Sequence, residues 1–149
     1  MISDLLYKSE LRGWIKNVPF ICPFAVTLTM KPNNSHFHSQ STRHFSNRLN
    51  QSYLQNSYRR QGKRLTVIPI KEGNSYIHTH FHLIIDNPYK ERSDEFVGKV
   101  KSCWAKTGGS LPRILVEEMR DDIWIAYITK FKSKSNYRDC VDWDNVWVN

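Results

Sequence analysis

The chain has 149 residues, 40% of them hydrophobic and 13% aromatic, which is enough for one folded domain with a real core and argues against a disordered chain. Its net charge is +8, and no Asp or Glu lies between Glu10 and Glu72, a stretch holding ten Lys or Arg; the rest of the chain nets −2. Such a basic half points to a polyanionic partner, most often nucleic acid.

Residues 1–16 read as a short helix or N-terminal arm. Phe24, Val26, Leu28 and Met30 alternate with Ala25, Thr27 and Thr29, the period of a strand, and Lys31-Pro32-Asn33-Asn34-Ser35 ends it in a turn. From Ser41 to about Arg60 the chain lacks Gly and Pro. Phe45, Leu49, Tyr53 and Leu54 fall at helical spacing there, with Arg43, Arg48, Arg59 and Arg60 on other faces. Leu65–Ile70 and Tyr76–Asp86 read as a hairpin joined at Glu72-Gly73-Asn74-Ser75. Ser93, Asp94 and Glu95 open a helix whose apolar face is Phe96, Val100, Cys103 and Trp104. Gly108-Gly109 ends it, and Ile114–Glu117 reads as a strand. Asp121-Asp122 opens a last helix to about Lys132, and residues 141–148 read as an edge strand. This order predicts a single α+β domain, an antiparallel sheet with helices packed mainly on one face.

The three cysteines are widely spaced and form no paired motif, so a disulfide scaffold or thiolate zinc site is not expected and a reducing compartment is. Asp4, Lys8 and Glu10 interrupt the apolar N-terminus, so no signal peptide is visible. No apolar run approaches the ~20 residues of a membrane span. A soluble, cytoplasmic protein with no membrane partner is the expectation.

The six histidines form two clusters, His36/His38/His44 and His78/His80/His82. On a strand, His80 and His82 share a face about 6.6 Å apart, within reach of one metal ion, while Phe81 and Leu83 point into a core. The alternative is a solvated polar strand face. His36-Phe37-His38 lies in Asn/Ser-rich sequence after a turn and reads as a loop. Farther on, Tyr127 and Lys130 are three residues apart and share a helix face, where an ammonium can favour a phenolate. A core tyrosine with its hydroxyl at the rim is the plainer reading.

Together these segments resemble the HUH endonucleases, and most nearly the rolling-circle replication initiators. Phe24-Ala25-Val26-Thr27-Leu28-Thr29-Met30 is similar to their first-strand motif, His80-Phe81-His82 with Leu83-Ile84-Ile85 to their metal motif, and Tyr127-Ile128-Thr129-Lys130 to their Tyr-x-x-Lys motif. The likeness spans roughly residues 20 to 135. It implies a sandwich fold and a divalent ion, Mn²⁺ or Mg²⁺, on His80 and His82 polarising a phosphate of single-stranded DNA. It implies attack by Tyr127 to leave a 5′-phosphotyrosine and a free 3′-hydroxyl, with Lys130 near the phosphate or phenolate.

A third, carboxylate ligand is expected on the neighbouring strand. Glu72 is the candidate, although a tight turn at Gly73-Asn74 would set Pro69 or Ile68 opposite His80 and strand Glu72 at the tip; His78 is the other candidate. Arg43, Arg48, Arg59, Arg60, Lys63, Arg64 and Lys132 are the expected DNA-binding cations. The pattern departs from two-tyrosine initiators, since no second tyrosine lies within a turn of Tyr127 and Tyr137 is remote. No phosphate-binding Gly-x-x-x-x-Gly-Lys-Ser/Thr loop occurs either, so a host helicase, and a polymerase, are implied partners. A transposase or relaxase of the same superfamily, and a non-catalytic nucleic-acid-binding module, are the competing readings.

Overall fold

The computed structural model of the chain describes residues 3–73, 79–131, 134 and 136–149. Lys132, His78 and the tip of the expected hairpin, with Tyr76, lie outside them. The elements are α1 (Asp4–Asn17), β1 (Pro23–Met30), α2 (Ser35–Leu54), α3 (Asn56–Gln61), β2 (Val67–Glu72), β3 (His80–Asp86), α4 (Ser93–Ala105), β4 (Ser110–Glu118) and α5 (Ile123–Ile128). The four strands form one antiparallel sheet in the order β2-β3-β1-β4. The α+β class is as expected.

Strand alternation sorts the side chains onto two faces. Phe24, Val26, Leu28 and Met30 of β1 join Phe81, Leu83 and Ile85 of β3 beneath α2 and α4, which contribute Phe45, Leu49, Tyr53, Phe96, Val100, Cys103 and Trp104. These two helices cover the main core. The opposite face is covered over part of its area: Ile68, Ile70 and Ile84 lie beneath Leu11 and Ile15 of α1, Ile125 and Ile128 of α5, and Tyr137, Cys140 and Val141. All three cysteines are buried free thiols. No described helix is long and apolar enough to cross a membrane.

Several boundaries differ from the sequence reading. The Asn34 side chain accepts from the Phe37 amide at 2.8 Å, so α2 begins at Ser35 and takes in His36-Phe37-His38, which is helix and not loop. This first turn is seated on Gly109, whose φ is +83° and where a Cβ would lie 2.5 Å from Phe37 Cε1; only glycine meets both conditions. The helix expected to reach Arg60 breaks at Gln55 (φ +50°) into α2 and α3. Helix α5 stops at Ile128, where Thr129 turns its hydroxyl back to Ile125 O at 2.6 Å, so Lys130 lies past its end. The expected edge strand at 141–148 is two isolated bridges, Ile70 with Val141 and Val67 with Trp147. A turn at Trp143–Asn145, held by the Asn145 amide on Asp142 at 2.6 Å, interrupts it.

Candidate metal centre

The centre lies on the second sheet face, at the end that α1 leaves uncovered. Register places Glu72 directly opposite His80 and Ile70 opposite His82, with Thr29 and Thr27 across from the two histidines on β1. That register is not the one a tight turn at Gly73-Asn74 would impose, which would have set Pro69 or Ile68 opposite His80. The geometric objection to Glu72 falls with that register.

Glu72, His80 and His82 bring one ligand atom each to within 4.8 Å of one another. Glu72 is 3% exposed; its Oε2 lies 2.6 Å from His82 Nε2 and its Oε1 3.9 Å from His80 Nε2. The 2.6 Å contact has the separation of an ion pair without the alignment of a hydrogen bond, and both atoms are buried with no hydrogen-bond partner among the described residues. The other ring nitrogen of His82, Nδ1, is 3.0 Å from Thr27 Oγ1. With Nδ1 engaged by that hydroxyl, Nε2 is the ring atom facing the carboxylate, so a nitrogen and an oxygen ligand converge in a buried site, and a partner on the far ring nitrogen is the kind of contact that orients a metal-bound imidazole. The group can therefore hold a metal ion.

Burial pushes the Glu72 carboxyl upward, but contact with His82 and with the Lys130 ammonium outweighs it and holds the group at about 2. Lys130 Nζ donates to Glu72 Oε1 at 3.0 Å and also sits 3.6 Å from the centre of the Tyr127 ring. One ammonium thus touches both a prospective ligand and the phenol. Tyr127, 47% exposed, has its ring 5.3 Å from that of His82 and is stacked on Trp124 at 5.5 Å. Trp124 packs edge-on against His82 and donates from its indole to Leu83 O at 3.2 Å, which fixes the aromatic wall to β3.

Helix α5 has six residues, too few to hold itself, so its place is set from outside. Ile125 and Ile128 anchor its buried side. Arg12 of α1 donates from Nε to Thr129 Oγ1 at 2.7 Å and from Nη2 to Ala126 O at 3.1 Å, and Tyr137 donates to Thr129 O at 2.5 Å. Tyr137 is itself buried and its phenol is pushed up by that burial, which removes it as an alternative nucleophile.

Glu72, His80, His82, Tyr127 and Lys130 are therefore brought together. The six described cations of the expected DNA-binding set are not. Arg43 and Arg48 belong to α2 and Arg59 and Arg60 to α3, on the other side of the sheet, with Lys63 and Arg64 following α3. Arg43 bonds Asn145 at 3.2 Å and the Arg48 guanidinium bonds Lys106 O. Thr27, Trp124 and Arg12 were missed as site residues. Thr27 belongs to the alternating strand segment, and Trp124 lies three residues before Tyr127, which is the local signal each carries. No local signal ties Arg12 to a helix 114 positions away. Compared with known protein families, characterised proteins and solved structures, the chain matches none.

Proposed function

We propose that this chain is a metal-dependent endonuclease and strand transferase that nicks single-stranded DNA through Tyr127 and so initiates rolling-circle replication. The observation that supports it is the half-exposed Tyr127 ring resting on His82, a member of the buried Glu72–His80–His82 group, with Lys130 bridging phenol and carboxylate. Two imidazoles with an oxygen ligand suit Mn²⁺, Mg²⁺ being the other ion the resemblance implies, and the bound ion would supply Lewis-acid polarisation of the scissile phosphate.

The chain's own residues do the rest. The Tyr127 oxygen attacks phosphorus as its proton leaves; the bond to the 3′ oxygen breaks and that oxygen takes up a proton. A 5′-phosphotyrosine and a 3′-hydroxyl result, and the retained ester allows rejoining. Lys130 favours the negative charge on the phenol oxygen or the phosphate. Thr27 holds His82 in its ligating orientation, and Trp124 fixes the plane of the Tyr127 ring. Strand separation and synthesis fall to a host helicase and polymerase. Three buried free thiols suit the reducing cytoplasm.

The test is incubation with single-stranded oligonucleotides and Mn²⁺, followed by denaturing electrophoresis. The proposal expects a covalent protein–DNA band, lost in Tyr127→Phe with DNA binding retained. Binding with no covalent band on any sequence, in a protein shown to bind Mn²⁺, would leave a non-catalytic nucleic-acid-binding module. A band on transposon-end or transfer-origin sequences alone would assign the same chemistry to transposition or conjugative transfer.

A further inference from the structure

A cavity of about 600 Å³ opens along the outer border of β2, between the first turns of α2 and residues 136–144. Its volume is within the usual range of ligand sites. Lys71 and Gly73, the residues on either side of Glu72, both line it. So does Lys134, whose charge helps to hold Glu72 ionised. The cavity therefore lies beside the metal group, at the end of β2 that carries its carboxylate.

The charged groups of this cavity do not neutralise one another. Lys71 Nζ donates to Ser35 Oγ at 2.7 Å, and Asp142 is near enough for its charge to favour that ammonium. Yet among the described residues no ion pair joins the two. Burial disfavours both charges, pushing the Lys71 ammonium down and the Asp142 carboxyl up. Asp142 is nonetheless held firmly. The Ser39 hydroxyl lies 3.1 Å from each of its oxygens, the buried Asn145 amide donates to Oδ2 at 2.6 Å, and Arg43 fixes Asn145 from behind at 3.2 Å. A carboxylate and an ammonium thus share one half-buried cavity without meeting, and a ligand edge carrying donors beside an acceptor would satisfy both.

The lining decides between the parts of a nucleotide. Asp139 and Asp144 line the cavity as well, so three carboxylates against two ammoniums make a poor seat for a phosphate. Trp143, packed at a tilt on Trp14 and still 50% exposed, also lines it and offers a ring on which a base can stack. A carboxylate has about four acceptor sites, and Ser39 and Asn145 fill one each, which leaves about two for a ligand. Guanine is the base whose Watson–Crick edge places two N–H groups, at N1 and N2, next to a carbonyl oxygen, O6. Adenine, cytosine and thymine each bring an N–H from a single edge position.

We propose that this cavity takes one unpaired guanine base, with Asp142 accepting from N1–H and N2–H, Lys71 donating to O6 and Trp143 stacking on the ring. The inference rests on the reading that single-stranded DNA crosses the metal group, and it makes Asp142 and Lys71 the residues that select a base near the attacked phosphate.

The experiment measures, by fluorescence anisotropy and without metal, the binding of the full chain to labelled 11-nucleotide oligothymidylates. The central position carries guanine, adenine, cytosine, thymine or hypoxanthine. Guanine is expected to bind about tenfold tighter than the other natural bases. Hypoxanthine, which lacks the N2 amine, loses most of that gain. Lys71→Met brings the guanine-to-thymine ratio close to one. Asp142→Asn puts a donor where an acceptor stood and turns the preference toward xanthine, whose C2 carries an oxygen. If a thermal melt shows that Asp142→Asn disturbs the fold, the hypoxanthine and Lys71→Met comparisons decide alone. Equal affinity for every base, absence of binding to any strand, or a preference that hypoxanthine keeps in full overturns the proposal. The same strands are then assayed for covalent adduct with Mn²⁺. Adduct without guanine preference sinks the base pocket alone, whereas guanine preference without adduct supports the pocket and counts against nicking.

Discussion

Arg12, in the first helix, and Thr129, just past the last, are joined by a 2.7 Å hydrogen bond across 117 residues of sequence. The guanidinium thereby closes the C-terminal end of a helix too short to persist alone, and that helix carries Tyr127. Arg12→Ala is expected to leave the main core intact and to cut the rate of covalent adduct formation by about a hundredfold, because small misplacements of a nucleophile are costly. Arg12→Lys should recover part of the rate, and the melting temperature should fall by only a few degrees. Rapid-quench adduct kinetics with a parallel thermal melt check this.

Lys130 neutralises Glu72 in the absence of a cation. Lys130→Met removes a competing positive charge and is expected to tighten Mn²⁺ binding by about tenfold while slowing adduct formation. Calorimetric titration gives the first value and gel assays the second. Unchanged Mn²⁺ affinity would mean that the ammonium does not share the carboxylate with the ion.

Thr27 touches the metal group through His82 Nδ1. Thr27→Val keeps the shape and loses the hydroxyl, so Mn²⁺ affinity should drop by about 10- to 100-fold with little change in stability. Competition with a fluorescent chelator reads this directly.

The Glu72 carboxyl is held at about 2 in the fold, below its ordinary 4.5. Its contribution to metal-free stability is therefore complete above about 4.5 and is lost as pH falls from there toward 2. Melting temperatures of the metal-free protein should decline through that window. Glu72→Gln should flatten this part of the decline, and it should also abolish Mn²⁺ binding.

At the alkaline end one contributing group is Tyr53, 1% exposed, whose hydroxyl donates to Asn87 at 2.7 Å and whose pKa burial pushes up to about 12. A raised phenol favours the fold while protonated, so stability present below pH 10 is lost between 10 and 12, by about 3 kcal/mol for this residue. Tyr53→Phe should cost about 1 kcal/mol at neutral pH and show a shallower alkaline loss in denaturant titrations.

What the sequence discloses about this molecule depends on how local each feature is. The alternation of β1, the shared face of His80 and His82 and the apolar stripe of α4 are repeats within one element, and they read directly. The start of α2 was hidden because one side chain, Asn34, turns an apparently loose Asn/Ser run into a capped helix. Glu72 depended on the width of a connection, which no turn residue encodes, and register alone places it across from His80. The basic residues of α2 and α3 were legible as a patch and not as to side. Which face of the sheet a helix covers is decided by long-range packing of Phe45, Leu49 and Tyr53, and the cations follow wherever those residues go.

The irregular C-terminal segment has a consequence beyond its own shape. By exchanging backbone bonds with Val67 and accepting the Lys71 amide at Cys140, it saturates the outer border of β2. The remaining border, β4, carries Pro112, which has no amide hydrogen, and the charges of Arg113, Glu117 and Glu118. Proline and charge on that margin, together with the paired outer border of β2, discourage a neighbouring copy from extending a sheet rich in Val and Ile.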